Sequence, residues 1–185
     1  MYIEIYIFGN VFKLLNTNFK QGGVGVESKN SCINIMSNLL NKETEIITVF
    51  EFSVGDNHYG INAEYILEIL EYKGSTLVPN TPEGIEGIFV LRGKVIVNLN
   101  LFKCLEVDFT NESKKTKNII VDFRKSNIGL IVSSVKGIHK VPLSSVVEIC
   151  EEDGNNFAIG TIKQNNKLIT LLDMEKVICS VNDSV

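Results

Sequence analysis

The sequence predicts a mainly β protein made of two small all-β modules that share a hydrophobic seam. Three observations predict this fold class. From Glu45 onward, short runs of β-branched and aromatic residues alternate with turn sequences. Two strand patterns of the first half recur in the second half of the chain. Hydrophobic residues make up 44% of the 185 residues, which is enough for a core without disulfide or metal support.

Residues 1–44 do not follow this pattern. Their apolar residues fit neither the helical nor the strand period, and "QGGVGVESKN" has the composition of a loop. We therefore expect a flexible leader over residues 1–44 and a folded domain over residues 45–180. A signal peptide is disfavoured because Glu4 precedes the first lysine. Met36 is an alternative start, which leaves open whether residues 1–35 belong to the natural product.

The first repeated element is a β-hairpin. "IITVFEFSV" predicts a strand, "GDNH" a turn and "YGIN" the returning strand. The same order returns in the second half of the chain as "NIIVDF", "RKSN" and "IGLIV", so that apolar residues align with apolar residues and Gly60 aligns with Gly129. These two segments therefore predict two similar hairpins in the fold.

The second repeated element is a strand that runs into a short turn or helix. "KVIVNLNLFKCL" at 94–105 aligns without a gap with "KLITLLDMEKVI" at 167–178. Asn100 and Asp173 occupy the same place in the two segments, where each would cap a helix N-terminus. We interpret the chain as internally duplicated, the alternative being that strand sequences resemble one another by composition alone.

Composition disfavours several classes of function. A net charge of −4 and a pI near 5.3 provide no basic surface for nucleic acid, so no nucleic-acid partner is expected. No run approaches the roughly 18 apolar residues that a membrane-spanning helix needs, so we expect no direct membrane insertion. The four cysteines lack metal-ligand spacing and are interpreted as reduced thiols: Cys32, Cys104, Cys150 and Cys179.

The sequence offers no catalytic constellation. His58 and His139 have no cysteine or carboxylate at metal-ligand spacing and are interpreted as ordinary surface or strand residues. The adjacent acids at 151–153 look like a solvated loop, and no nucleophile elbow, phosphate loop or zinc-protease motif occurs. We therefore predict no catalytic residue, no cofactor and no metal, and an enzyme is the third-ranked reading.

Four segments together resemble the CheW family of chemotaxis coupling proteins, over roughly residues 46–179. They are "HYGINAEYILEIL", "LVPNTPEGIEGIFVLRGKVIVNLNL", "IGLIVSSVKGIHKV" and "LITLLDMEKVI". The resemblance implies two five-stranded SH3-like β-barrels with a short C-terminal helix. It also implies a non-catalytic cytoplasmic adaptor, recruited to membrane receptor arrays, that couples chemoreceptors to the histidine kinase CheA.

The resemblance further implies specific binding residues. The cytoplasmic tip of a methyl-accepting chemoreceptor would contact the Arg92–Gly93 turn together with Ile66 and Glu68. The regulatory domain of CheA would contact the first barrel at Ile85 and Gly87. Two related readings remain open, namely a regulatory domain like that of CheV proteins and a divergent adaptor of an auxiliary chemosensory system.

The residues around Arg92 support a binding role without requiring one. A guanidinium on a tight turn offers five donors in a fixed fork to carboxylates or carbonyls of a partner. The alternative is that Arg92 pairs internally with Glu86 or Glu68, and both roles can coexist. This chain also departs from the family pattern at three positions: Val97, Asn100 and Ser133. The neutral Asn100 would change the charge beside the Arg92 turn.

Overall fold

The computed structural model describes residues 45–108, 116–149 and 157–180, with the side chains of 179 and 180 excepted. The predicted leader over 1–44 lies outside these residues. The described elements are β1 (Ile46–Val54), β2 (Asn57–Asn62), a 3₁₀ turn (Ala63–Tyr65), β3 (Ile66–Glu71), β4 (Ile85–Leu91), β5 (Lys94–Asn100), α1 (Leu101–Cys104), β6 (Lys117–Phe123), β7 (Ser126–Val132), β8 (Ser134–Pro142), a second 3₁₀ turn (Leu143–Ser145), β9 (Val147–Glu148), β10 (Ala158–Gln164), β11 (Lys167–Leu172) and α2 (Met174–Ser180).

The strands form two sheets, which confirms the mainly β fold class. The five-stranded sheet has the order β3-β6-β7-β5-β4, and the six-stranded sheet has the order β8-β1-β2-β11-β10-β9. The expectation of five strands in each module is therefore corrected for one sheet, because the two-residue strand β9 adds a sixth. An isolated bridge between Thr76 and Ile88 joins the segment after β3 to the opposite edge strand, β4.

The two sheets do not correspond to the two halves of the sequence. The β1–β2 hairpin pairs with β8 and β11, whereas the β6–β7 hairpin pairs with β3 and β5. Each half of the chain thus contributes its first hairpin to the sheet that the remaining strands of the other half form. The registers agree with the predicted duplication, since Gly60 lies beside Leu171 and Gly129 beside Asn98 in the two parallel pairs.

A shared core lies between the sheets, and each sheet also has an inner face of its own. Alternate residues of each strand point to opposite faces, so β1 places Phe50, Phe52 and Val54 in the shared core and Val49 on the inner face. The inner face of the six-stranded sheet is an apolar cluster of Val49, Val141, Ile162, Ile169 and Leu171. The five-stranded sheet instead buries two amides there, Asn98 and Asn118.

The predicted hairpins and helix caps are present. Each hairpin turn has two residues rather than the four predicted, because Val54 pairs with Asn57 and Phe123 with Ser126. Asn100 caps α1 through hydrogen bonds from the Phe102 and Lys103 amides at 3.0 and 3.4 Å. Asp173 likewise accepts from the Glu175 amide at 2.8 Å, as the repeat predicted.

Candidate functional site

The Arg92–Gly93 turn projects an arginine from one end of the five-stranded sheet. Leu91 pairs with Lys94, so the turn between β4 and β5 consists of Arg92 and Gly93 alone. Their φ angles are 49° and 78°, both in the left-handed region that the favoured two-residue hairpin turns require. Glycine adopts this conformation freely, whereas arginine adopts it at a cost. The Arg92 side chain is 80% exposed.

Arg92 also has an internal partner. Its Nη2 atom donates to Oε2 of Glu68 at 2.8 Å, and Glu68, in β3, is 25% exposed. Of the two acids considered from sequence, Glu68 is therefore the one in contact. Glu86 accepts instead from Asn100 at 2.9 Å and pairs with Lys103. The predicted receptor residues thus include a real contact pair, Arg92 with Glu68, and Ile66 lies two residues away against the shared core.

The residues predicted to contact the kinase have structural roles. Ile85 is 8% exposed and belongs to the shared core. Gly87 has a φ of 133°, and a Cβ atom there would lie 2.3 Å from the carbonyl oxygen of Thr76. The packing alone therefore accounts for both residues, and direct contact with a kinase stays a prediction for them.

Two departures from the family pattern still accept backbone hydrogen bonds, and one of them caps a helix. Ser133 Oγ accepts from the Gly55 amide at 2.8 Å, and Asn100 caps α1. The expected influence of Asn100 on the Arg92 turn is wrong, because the two residues lie at opposite ends of β5. The strand β5 has seven residues, and an extended strand of that length is roughly 20 Å long. Val97 is buried in the shared core.

The two histidines lie in strands, β2 and β8, as one of the two sequence interpretations had it, but they are not ordinary residues there. Both hold the buried carboxylate of Glu51, His58 through Nδ1 at 2.6 Å and His139 through Nε2 at 2.5 Å. Lys167 Nζ lies 3.4 Å from Nε2 of His58. Sequence spacing could not show this cluster, since the carboxylate and its two histidines come from three neighbouring strands, β1, β2 and β8.

The electrostatics of the cluster favour an ionised Glu51. Burial raises the pKa of Glu51, but the hydrogen bonds from His139 and His58 and their electrostatic interactions outweigh burial and leave the pKa below 4.5. In the part of the chain that the structure describes, no group of three histidine, cysteine or acidic side chains could hold a metal ion.

The cysteine and membrane expectations can be examined at the described residues. Cys104 is a free thiol in the shared core, and burial raises its pKa to about 11. The side chains of Cys32, Cys150 and Cys179 lie outside the description. Over 45–108, 116–149 and 157–180, no helix has both the length and the hydropathy needed to cross a bilayer.

Comparison with known proteins gives consistent matches. A family model described as the CheW-like domain matches residues 48–182. Chemotaxis protein CheW of Helicobacter pylori is 29% identical over 136 residues, which cover 72% of this chain and 82% of that protein. Chemotaxis protein CheW of Thermotoga maritima is 28% identical over 140 residues, covering 74% of this chain and 89% of the relative.

The fold has a counterpart among solved structures. The crystal structure of the scaffolding protein TtCheW from Thermoanaerobacter tengcongensis superposes with a TM-score of 0.65 at 28% sequence identity. The superposition covers 70% of this chain and 86% of that chain. Family model, relatives and solved structure therefore indicate the same family.

Proposed function

The chain belongs to the CheW-like domain family, and from that premise we propose that it couples transmembrane chemoreceptors to the histidine kinase CheA as a chemotaxis adaptor. Proteins of this family are scaffolds rather than catalysts, which supports a binding role. The proposed receptor-facing residues are Arg92, Gly93, Ile66 and Glu68. In this proposal the chain acts in the cytoplasm and reaches the membrane receptor arrays through its partners.

The observation that carries the proposal is the exposed guanidinium of Arg92. Glu68 binds it at one nitrogen, Nη2, and the side chain remains 80% exposed. Glu68 therefore orients the guanidinium without covering it. An arginine held in one orientation loses less side-chain entropy when a partner helix binds, which favours affinity.

The kinase contact is proposed for exposed apolar side chains in β4 of the five-stranded sheet and in the segment before it. Ile85 and Gly87 are buried by packing, but Leu77 and Val90 are exposed. Leu77 follows Thr76, whose backbone bonds fix it to β4, and precedes Val78, which packs against the shared core. An apolar side chain on a fixed backbone is suited to binding a folded partner. We propose that the CheA regulatory domain covers this surface, with Ile85 and Gly87 acting by shaping β4.

The test of the receptor contact is the variant Arg92→Glu. Replacing charge-assisted hydrogen bonds by repulsion should weaken binding to a receptor signalling fragment by about 2 to 5 kcal/mol if the contact excludes water. Melting temperature and CheA binding should stay close to wild type. Three measurements decide the outcome: thermal melting, CheA binding and binding to the receptor fragment.

Two controls separate partner binding from the internal pair. Arg124→Glu changes another turn arginine that also has an acidic partner, Glu175 at 2.5 Å, and it should leave receptor binding intact. The charge swap Arg92→Glu with Glu68→Arg restores an internal pair but should not restore receptor binding. Recovery of receptor binding in the swap would mean that Arg92 acts only inside the protein, and the proposed contact would be wrong.

A further inference from the structure

The inner face of the five-stranded sheet contains a line of hydrogen-bonded side chains. Nδ2 of Asn118 donates to Oδ1 of Asn98 at 2.8 Å, and Nδ2 of Asn98 donates to Oγ of Ser75 at 2.8 Å. Both asparagines are buried. A Cβ atom at Gly129 would lie 1.9 Å from Asn98 Oδ1, so the glycine leaves room for the amide. The line thus leads from β6 through β5 to Ser75, outside the strands.

Ser75 belongs to a segment that is fastened to β4. The next residue, Thr76, exchanges two backbone hydrogen bonds with Ile88, at 2.7 and 2.9 Å. Gly87 permits this approach, because any side chain there would meet the Thr76 carbonyl. Ser75 and Thr76 therefore hold the chain that follows β3 against the opposite edge of the sheet.

This fastening joins the two strands that carry the candidate binding pair. Glu68 is in β3 and Arg92 follows β4, and these strands are the two edges of the five-stranded sheet. Edge strands are not held to each other by the hydrogen-bond ladder. The 2.8 Å contact between Arg92 and Glu68 therefore depends on whatever brings the edges together.

We propose that Ser75 and Asn98 are positioning residues that fix Arg92 and Glu68 in the geometry that the receptor helix recognises, a role that rests on the proposed function. Their hydrogen bond is directional and holds the segment after β3 in one place. The corresponding contact in the six-stranded sheet is apolar, since Val146 packs against the cluster that contains Leu171. The link between the segment after β3 and the rest of the sheet is thus hydrogen bonded in the sheet that carries the arginine turn.

The variant Ser75→Ala tests the proposal, because it removes the acceptor of Asn98 with little change in volume. Amide hydrogen exchange at Thr76 and Ile88 should become faster. Affinity for a receptor signalling fragment should fall about threefold to tenfold. In an Arg92→Ala background, Ser75→Ala should cause a smaller loss of receptor affinity than in wild type, because much of its effect acts through the arginine.

Ser145→Ala is the matched control. Ser145 lies in the 3₁₀ turn after β8 and donates to the Pro142 carbonyl at 2.7 Å, so the variant removes one hydroxyl bond from the other sheet. It should change neither the exchange of Thr76 and Ile88 nor receptor affinity. Equal affinity losses from Ser75→Ala in wild-type and Arg92→Ala backgrounds would overturn the proposal, as would a lower melting temperature with unchanged receptor binding.

The same experiment distinguishes a failure of the proposed function. If the wild-type protein does not bind the receptor fragment, or Arg92→Glu binds as well as wild type, the receptor role itself is wrong. The positioning role for receptor binding then falls with it. The amide exchange rates of Thr76 and Ile88 still decide separately whether Ser75 holds the segment after β3 against β4.

Discussion

The two sheets share one pairing plan but fill their inner faces with different chemistry. Each has a glycine at the same point of a parallel strand pair, and the side chains that cover that glycine are hydrocarbon in one sheet and amide in the other. The equivalent sets are Gly60 with Val49 and Leu171 in the six-stranded sheet, and Gly129 with Asn118 and Asn98 in the five-stranded sheet. Two strand pairs with the same register can therefore bury side chains of different polarity.

A neighbouring position shows the opposite contrast. Glu51, which pairs with Gly60, carries the carboxylate held by two histidines, whereas its equivalent Ile120, which pairs with Gly129, is a buried hydrocarbon. Each sheet thus buries one polar cluster, and the two clusters lie at different positions along the equivalent strands. Hydrogen bonds link the side chains within each cluster, although Oδ1 of Asn118 is buried without a hydrogen-bond partner among the described residues.

The difference matters because hydrogen bonds have direction and apolar contacts do not. The apolar cluster in the six-stranded sheet tolerates small shifts of its side chains. The amides of the five-stranded sheet allow fewer arrangements, since moving one breaks its bond to the next. The following predictions test this contrast from the largest expected effect to the smallest.

Adding one methyl group at each equivalent glycine should destabilise the five-stranded sheet more. A Cβ at position 60 would lie 2.6 Å from Val49 Cγ1, and one at position 129 would lie 1.9 Å from Asn98 Oδ1. Overpacking of this kind costs about 1 to 3 kcal/mol. Gly129→Ala should reach or exceed the upper value because the amide cannot retreat without losing hydrogen bonds. Urea unfolding measures both variants, and a larger loss for Gly60→Ala would refute the contrast.

Replacing the amides should show strong coupling between them. Asn98→Ala leaves Asn118 Nδ2 without its acceptor and should cost about 1 to 3 kcal/mol. The double variant Asn98→Leu with Asn118→Val copies the Leu171 and Val49 pair of the other sheet. Removing both polar partners at once should cost less than the sum of the two single replacements. A double-mutant cycle in urea checks this, and simple additivity would count against a connected amide line.

The sequence predicted the parts of the fold that have local signals. The hairpins, the duplication and the caps at Asn100 and Asp173 follow from period, turn chemistry and side-chain type, and the structure contains them. The exchange of hairpins has no local signal, because an alternating strand pattern does not name its partner strand. Asn98 and Asn118 were missed for a similar reason, since an asparagine at an alternating position also fits a solvent-facing site.

The candidate site was predicted only where the motif was local. The Arg92–Gly93 turn lies on the surface as expected, and Glu68 was one of two acids considered as its internal partner. The cluster around Glu51 was not predicted, because His58 and His139 are distant in sequence and meet through strand register. Only the three-dimensional pairing of β2, β1 and β8 could reveal it.

The Glu51 cluster should make stability depend on pH in acid. A carboxyl whose pKa is lowered by folding contributes stability that is present above its unfolded pKa and is lost as the pH falls through the folded pKa. Glu51→Gln should therefore lower the free energy of unfolding at pH 7 by roughly 1.5 to 3 kcal/mol. The gap between wild type and variant should begin to narrow near pH 4.5, the ordinary carboxyl value, and close as the pH falls through the lower folded pKa.

Urea unfolding of both proteins from pH 7 to pH 3 measures this difference. Both proteins keep His58 and His139, so the comparison reports the carboxylate together with its interactions with the two histidines. Ile120→Val, at the equivalent position in the other sheet, is the control. Its loss in free energy of unfolding should be the same at every pH. A gap between wild type and Glu51→Gln that widens in acid would contradict the predicted sign.

The smallest effect concerns the two equivalent turns, and its sign is informative. The turn between β10 and β11 has Asn165 at a φ of 48°, where the turn between β4 and β5 has Arg92 at 49°. Asparagine tolerates the left-handed region better than arginine does. The exposed pair with Glu68 contributes at most about 1 kcal/mol. Arg92→Asn should therefore leave stability unchanged or raise it by a few tenths of a kcal/mol.

The reciprocal variant Asn165→Arg should lower stability by a similar small amount, and thermal melting with urea unfolding can compare the two. If Arg92→Asn is neutral or stabilising while receptor binding is lost, the arginine is retained for its partner in spite of its backbone conformation. A loss above about 1 kcal/mol in Arg92→Asn would instead mean that the pair with Glu68 supports the fold. The two sheets would then differ at this turn for a structural reason, and the exposed guanidinium would no longer point to a binding role.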